Sequence, residues 1–385
     1  MYKFLLLFIL CIPLRSVAQK NKTKKTEPIK ITTPVDYSIP LTPEKWQYQD
    51  GKAEFITLNG IPALKLHAGK GPAFIKDLVF SDGTIEYDVV LEQNLNLGNT
   101  PSIYFRSDQK DAELFYLRGR SNKPTANDAI QYAPIISDIN MWDMYPEYQA
   151  PASFTAGEKS HIKLVIAGKQ MRAYVNDMIK PALQIPHLEG KYDKGKVALD
   201  GAGIITNLQI KPGQIEDLPQ ISSPDLTDHD SHYLRAWKAS KPVTLPLGQE
   251  VFAMALPKTD EFIDTIKAER RGLVNLTRMY GANDNRKVVW LKTNIRSNEA
   301  LKTELQLGFS DEVWMFLNKK MVYVDKNLYL QNMRKNPDGR ISILNSTIAL
   351  NLIKGENELI IAVANDFYGW GIIARLENRE GVVFE

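Results

Sequence analysis

Three groups of residues have the types and spacing to act on a ligand. The first is acidic. Polar and apolar side chains alternate through residues 83–92, so Ile85, Tyr87, Val89 and Leu91 share one strand face and Glu86, Asp88 and Glu92 the other. Carboxylates on one face could supply the acid and nucleophile of glycosidic hydrolysis; the outward polar face of a half-buried strand would read the same way. The second group joins Tyr to Arg. Tyr104 and Arg106 alternate against Ile103 and Phe105, and Tyr116 and Arg118 alternate against Phe115 and Leu117. Pairing of these two strands predicts two Tyr and two Arg on one sheet face, with Glu113 and Gln131 beside them and Trp142 and Tyr145 as a roof. Tyr and Arg suit a polyol or an acidic sugar through stacking and forked donors, and they also suit cation–π pairs on a solvated sheet. The third group is the loop Asn365, Asp366, Phe367, Tyr368, Gly369, Trp370, Gly371, with Asn318 and Arg278 as expected neighbours. Either its Trp370 stacks on a pyranose while Asn365, Asp366 and Tyr368 read hydroxyls, or the loop plugs a sandwich with its own Trp. Glu86, Asp88 and Glu113 are thus the candidate catalytic acids. Tyr104, Arg106, Tyr116, Arg118, Gln131, Trp142, Asn365, Asp366, Tyr368 and Trp370 are the candidate ligand contacts.

The elements that must position these residues are strands. The third loop follows the run Leu359 to Ala364, whose apolar, partly β-branched character is that of a strand buried on both faces, and precedes a second strand over 372–376. From Asp36 onward, short alternating segments separated by Gly, Asn, Asp and Pro predict an all-β sandwich over 35–212. Residues 213–232 are rich in Pro, Ser and Asp and read as a linker. A second β-rich region over 233–385 holds one short amphipathic helix near 260–271. The expected fold is two β-sandwich (jelly-roll) domains in tandem.

Ahead of them, residues 1–18 read as a signal peptide: a short basic start, an apolar stretch from Phe4 to Leu14, and Ser16-Val17-Ala18 as a cleavage site. The apolar stretch is too short for a permanent anchor, so no membrane span is expected in the mature chain. Residues 19–34 form a flexible basic linker. The one Cys, Cys11, lies inside the leader, so the mature chain has neither disulfide nor thiol nucleophile. That pattern favours a bacterial periplasm or exterior. The formal net charge of +3 belongs to the leader and tail: residues 1–30 carry seven Lys or Arg and one acid, which leaves 41 basic against 44 acidic residues elsewhere. A folded basic patch for nucleic acid is therefore not expected. The five His have no metal-ligand spacing; the Asp- and Asn-rich loops leave a structural Ca²⁺ open, without a motif to support it, and no other cofactor is expected. Gly-x-Ser-x-Gly, P-loop and dinucleotide signatures are absent.

Two stretches resemble known families. Residues Ile103-Tyr104-Phe105-Arg106-Ser107, Glu113 to Arg118, Asp128 to Pro134, His161 to Gly168, Tyr174 to Asp177 and Pro181 to Leu183 resemble the concanavalin A-like lectin/glucanase superfamily, nearest to its laminin-G-like and 3-keto-disaccharide hydrolase-like members. The resemblance covers most of 60–210 and implies a sandwich fold shared by lectins, adhesion modules and hydrolases. In its glucanase branch the acids follow Glu-x-Asp-x-x-Glu, and here Glu92 is one residue out of that spacing. Asp311 to Lys319, with Leu352 to Leu359 and Val363, is similar to galactose-binding-like jelly rolls such as the sugar-binding domain of family 2 glycoside hydrolases. Lys319 stands where that turn usually has glycine. Together these imply a secreted or periplasmic carbohydrate-binding or glycan-associated protein, non-catalytic, with an oligo- or polysaccharide as partner. A glycosidase or glycan lyase is the alternative, and a cell-surface adhesion protein with a protein partner the third reading.

Overall fold

Among the described residues, four antiparallel sheets account for nearly all regular structure, with strand far outweighing helix. The computed structural model describes residues 36–92, 100–108, 110–118, 126–251, 254–282 and 285–384. The leader and the basic linker expected over 1–34 lie outside the described residues.

The first two sheets face each other. The front sheet runs Trp46–Gln47, Ala73–Ile75, Lys196–Asp200, Ser102–Asp108, Asp111–Leu117, Ile130–Ile136 and Gln149–Ala150, with Ile139–Asn140 paired to Ile130–Ile136. The back sheet runs Leu183–Ile185, Gln170–Val175, Lys159–Ala167, Gly83–Leu91, Gly203–Pro212, Ile61–Leu66 and Ala53–Leu58. Alternation explains the shared core: Ile85, Tyr87, Val89 and Leu91 of the back sheet meet Ile103, Phe105, Phe115 and Leu117 of the front sheet, all fully or almost fully buried. Burial of such side chains contributes roughly 1.5–3 kcal/mol each.

The second pair packs in the same way. One sheet runs Asp264–Lys267, Ala236–Ala239, Lys287–Ser297, Gly355–Ala364, Glu312–Leu317 and Lys320–Lys326; Val243–Thr244 and Val382–Phe384 also pair with Lys287–Ser297. Its partner runs Leu273–Asn275, Gly371–Leu376, Leu301–Ser310 and Ser346–Leu352. Gly355–Ala364 is central, and its uninterrupted apolar run is covered on both sides. Leu359, Ile361 and Val363 face the inner core, while Ile360, Ala362 and Ala364 face a smaller cluster with Leu245, Val251, Phe262 and Trp290. The helix expected near 260–271 is not formed. Thr259–Glu261 and Arg270–Gly272 are single 3₁₀ turns around the strand Asp264–Lys267, and the α-helix among the described residues is Leu276–Tyr280. Asn275 caps that helix by accepting from the Arg278 N–H at 3.0 Å.

Residues Tyr37–Glu385 form one unit. The inner cluster of the first sandwich continues through Met141 and Met144 to Leu273, Ile341 and Ile373 of the second. The connecting segment is tied down rather than free: Asp230 accepts from the Arg375 guanidinium at 3.0 Å and from the His232 backbone N–H at 3.0 Å.

Candidate functional site

The outer face of the front sheet carries the Tyr/Arg group, and the second sandwich closes over it. On Asp111–Leu117, Phe115 and Leu117 point into the core, so Leu114 and Tyr116 point outward against Ala133 and Trp142. Register places Tyr116 opposite both Ser102 and Gln131, and Tyr104 opposite Leu114. The Tyr116 hydroxyl donates to Gln131 Oε1 at 3.0 Å and accepts from Arg118 Nη2 at 3.1 Å. Arg118 also donates to Gln131 Oε1, and Gln131 Nε2 donates to the Trp142 carbonyl at 2.8 Å. The Arg118 guanidinium lies over the rings of Tyr116 (5.2 Å) and Trp142 (5.7 Å).

From the second sandwich come Tyr329, Arg340, Phe367 and Tyr368. Tyr329 meets Trp142 edge-on at 4.7 Å, and Tyr368 meets it at 5.8 Å and 84°. Phe367 stacks on Tyr329 and abuts Tyr368. Arg340 lies 5.0 Å over Trp142 and shares Asp128 with Arg118. Burial pushes the Tyr116 hydroxyl up to about 12; burial raises Tyr104 further, aided by Asp200, Tyr116 and Tyr368, so these hydroxyls stay protonated donors at neutral pH. Tyr368 is 40% exposed and holds a positive φ of 63°, which turns its ring toward the first sandwich.

A buried carboxyl pair fixes the loop that brings Phe367 and Tyr368 here. Asp311 Oδ2 accepts the N–H groups of Asp366 (2.6 Å) and Phe367 (2.8 Å), and the Ser310 hydroxyl donates to Asp311 Oδ1 at 2.8 Å. Asp143, from the first sandwich, faces the same Ser310 hydroxyl at 3.4 Å and the Gly369 N–H at 3.4 Å. Burial pushes Asp311 up to about 7, and burial with the nearby Asp311 charge holds Asp143 well above the carboxylate range. Gly369 is required by the close approach, since a Cβ there would lie 2.4 Å from Met144 Cγ.

Several expected site residues stand elsewhere. Arg106 does not share a face with Tyr104. The ladder shifts between Phe105 and Asp108, Arg106 has φ 50°, and its side chain is buried, donating to Ser81 O (2.9 Å), Asp82 (2.8 Å) and Gly168 O (2.8 Å). Trp370 is 1% exposed in the inner core of the second sandwich, its indole N–H donating to Gly281 O at 2.9 Å, so it has no free ring for a sugar. Asn365 is buried and pairs with the Lys287 backbone in both directions. Asp366 is exposed at the surface; partial loss of water around its carboxyl, with the Glu312 charge nearby, raises its pKa. Asn318 sits at the far end of Glu312–Leu317, bonded to Asn357. Arg278 turns to Glu269 and the Glu189 carbonyl. Tyr145 roofs nothing: it is buried and stacked on Tyr148.

The three candidate acids do not converge. Glu113 points between the sheets, accepting from Tyr132 (2.6 Å) and the Gly190 N–H (3.1 Å), and burial raises its pKa. Glu86 and Asp88 do share the outer face of the back sheet, on the other side of the sandwich. His161 bridges them at 3.0 and 2.6 Å, with Lys211 on Glu86 and Asn207 and Lys159 on Asp88. Burial pushes both acids up, but hydrogen bonds led by Lys211 and His161 on Glu86 and by His161 on Asp88 prevail, so both sit below the usual range. Among the described residues, no group of three or more His, Cys, Asp or Glu is arranged to hold a metal ion. No helix among them is long and apolar enough to cross a membrane.

Sequence reading missed Tyr329, Arg340, Asp143 and Asp311. All but Asp143 come from the second sandwich, and no local spacing links them to Tyr116.

No family model matches the chain, and no curated protein matches it. Among solved structures it is similar to the carbohydrate-binding module CBM66 from Bacillus subtilis (18% identity, 43% of this chain and 95% of that chain covered, TM-score 0.33). It is also similar to domain 4 of an extracellular GH43 arabinanase from Geobacillus stearothermophilus, in complex with arabinotriose (15%, 44% and 79%, 0.30). Chicken galectin 2 matches at 12% identity (35% and 95%, 0.26). These likenesses are partial. The class, that of packed antiparallel β-sandwiches, is defined by the chain's own sheets and the cores between them, and the chemistry of the site by its own residues.

Proposed function

We propose that the protein binds carbohydrate without cleaving it, on the outer face of the front sheet where the second sandwich meets it. The observation that carries this is one cluster of Tyr104, Tyr116, Arg118 and Gln131 from the first sandwich with Tyr368 from the second. Within it the buried Tyr116 and Gln131 bond to each other and position Arg118. The half-buried Tyr104 hydroxyl and Arg118 guanidinium and the exposed Tyr368 ring are the groups left to orient a polyol. The resemblances of 60–210 to concanavalin A-like domains and of the C-terminal part to galactose-binding-like jelly rolls agree with this reading. A non-catalytic role is supported by the state of the acids. Glu113 lies between the sheets, away from the other two. Glu86 and Asp88 share one face, but despite partial burial His161 and their Lys and Asn partners hold both below the usual range, so neither is the proton-bearing acid that hydrolysis needs. The leader-like N-terminus supports a periplasmic or extracellular setting within a polysaccharide-processing system.

A glycan array with the protein and its Tyr368→Ala and Tyr104→Phe variants tests the proposal. The expected result is binding to a defined glycan class, with Tyr368→Ala weakening it about tenfold (~1.4 kcal/mol) while the fold is kept. The reading fails if no glycan binds, or if both variants bind as the parent does.

A further inference from the structure

At the end of Ser102–Asp108 and Lys196–Asp200, an open groove of about 880 Å³ carries an excess of positive charge. Arg106, Lys169, Lys191, Lys194 and Lys196 line it against Asp82, Asp108 and Asp193. Two of these acids are already committed: Asp82 to Arg106 at 2.8 Å and Asp193 to Lys169 at 2.8 Å. Neither Lys194 nor Lys196 has an ion-pair partner among the described residues, and both are exposed. Behind them, the 1%-exposed Arg106 keeps Nη1 without a hydrogen-bond partner among the described residues. Asp82 offsets the Arg106 charge, so the field in the groove comes from the two ammonium groups without ion-pair partners, an arrangement that favours an anion in front of them.

Aromatic surface accompanies the charge. Lys191 lies 5.2 Å over the Tyr192 ring and Lys196 5.7 Å over Phe74. Register connects this groove to the Tyr/Arg cluster. Val197 and Leu199 point into the core, while Lys196 is exposed opposite Ser107 and Ala198 lies opposite Tyr104. Lys196 is therefore two residues, about 7 Å, along the strand from the position facing Tyr104. One extended chain can cross both places.

We infer that the carbohydrate bound by this protein is an anionic polysaccharide, whose carboxylate or sulfate group sits in the Lys194/Lys196 groove while a neighbouring sugar lies on the Tyr104–Tyr368 cluster. This rests on the carbohydrate-binding reading and adds the chemical class of the ligand.

Binding of the protein to two matched pairs of polymers tests it: polygalacturonate against its methyl ester, and dextran sulfate against dextran. The variants are Lys194→Glu/Lys196→Glu and, separately, Tyr368→Ala, each checked for an unchanged thermal transition. The expected result is at least tenfold tighter binding of one acidic polymer than of its neutral partner. The double Lys variant then loses about tenfold in affinity, and added salt weakens the parent more than the variant. The pair that discriminates tells uronate from sulfate. Equal binding of acidic and neutral polymers, or acidic binding untouched by the double variant, overturns the inference and leaves carbohydrate binding in place. No binding to these polymers or to any array glycan overturns both.

Discussion

Trp370 and Tyr368 are two residues apart, and the structure gives them opposite work. Trp370 fills the inner core beside Ile372 and Val274, with its one polar atom satisfied by Gly281. Tyr368 lies at the surface of the junction. Trp370→Ala should therefore destabilise the protein by roughly 3–5 kcal/mol, the cost of emptying a large buried site. Tyr368→Ala should cost only about 1 kcal/mol. Urea denaturation of both variants measures this, and a mild effect at Trp370 would remove it from the core. Stability data thereby separate a structural aromatic from a ligand-facing one without knowledge of the ligand.

At the scale of elements, the loop between Gly355–Ala364 and Gly371–Leu376 is held by the Asp311 carboxyl, with Ser310 and Asp143 beside it. Burial raises Asp311 from 3.8 to about 7 in the folded protein. Between those values the folded state keeps a proton that the unfolded state has released. The stability this contributes is complete below about pH 4 and is lost as pH rises through about 7. Glu189, raised to about 7 mainly by burial, acts in the same direction. Glu86, Asp88 and Asp230 are lowered and act oppositely, at more acid pH. Stability should thus fall from pH 5 to pH 8, and Asp311→Asn, neutral at every pH, should flatten that fall. Denaturant midpoints of parent and variant across this range decide it; parallel profiles would count against a proton on Asp311.

For the whole molecule, the junction is built as an interior. Leu273, Ile341 and Ile373 belong to the core of the first sandwich, and Trp142 lies between Tyr329, Tyr368 and Arg340. Arg271 pairs with Glu147 at 2.6 Å and donates to the Met144 carbonyl at 2.7 Å across the same boundary. The two sandwiches should consequently unfold together. Calorimetry should give one transition, with calorimetric and van't Hoff enthalpies equal. Two separated transitions would mean that the junction contributes little.

Alternation and turn residues determined the all-β class, because the two-residue strand period is written locally in the order of apolar and polar side chains. The same locality made Tyr116, Arg118 and Gln131 legible as one patch, since neighbouring strands are close in sequence. Tertiary structure alone decided the rest. A bulge at Arg106 reversed the side chain that simple alternation placed beside Tyr104, because one irregular position flips everything after it. Burial depth turned Trp370 and Glu113 inward, a matter of which sheet covers them. Tyr329, Arg340 and Asp311 reached the site because a continuous apolar core closed one sandwich onto the other, and no periodicity along a chain records such a closure.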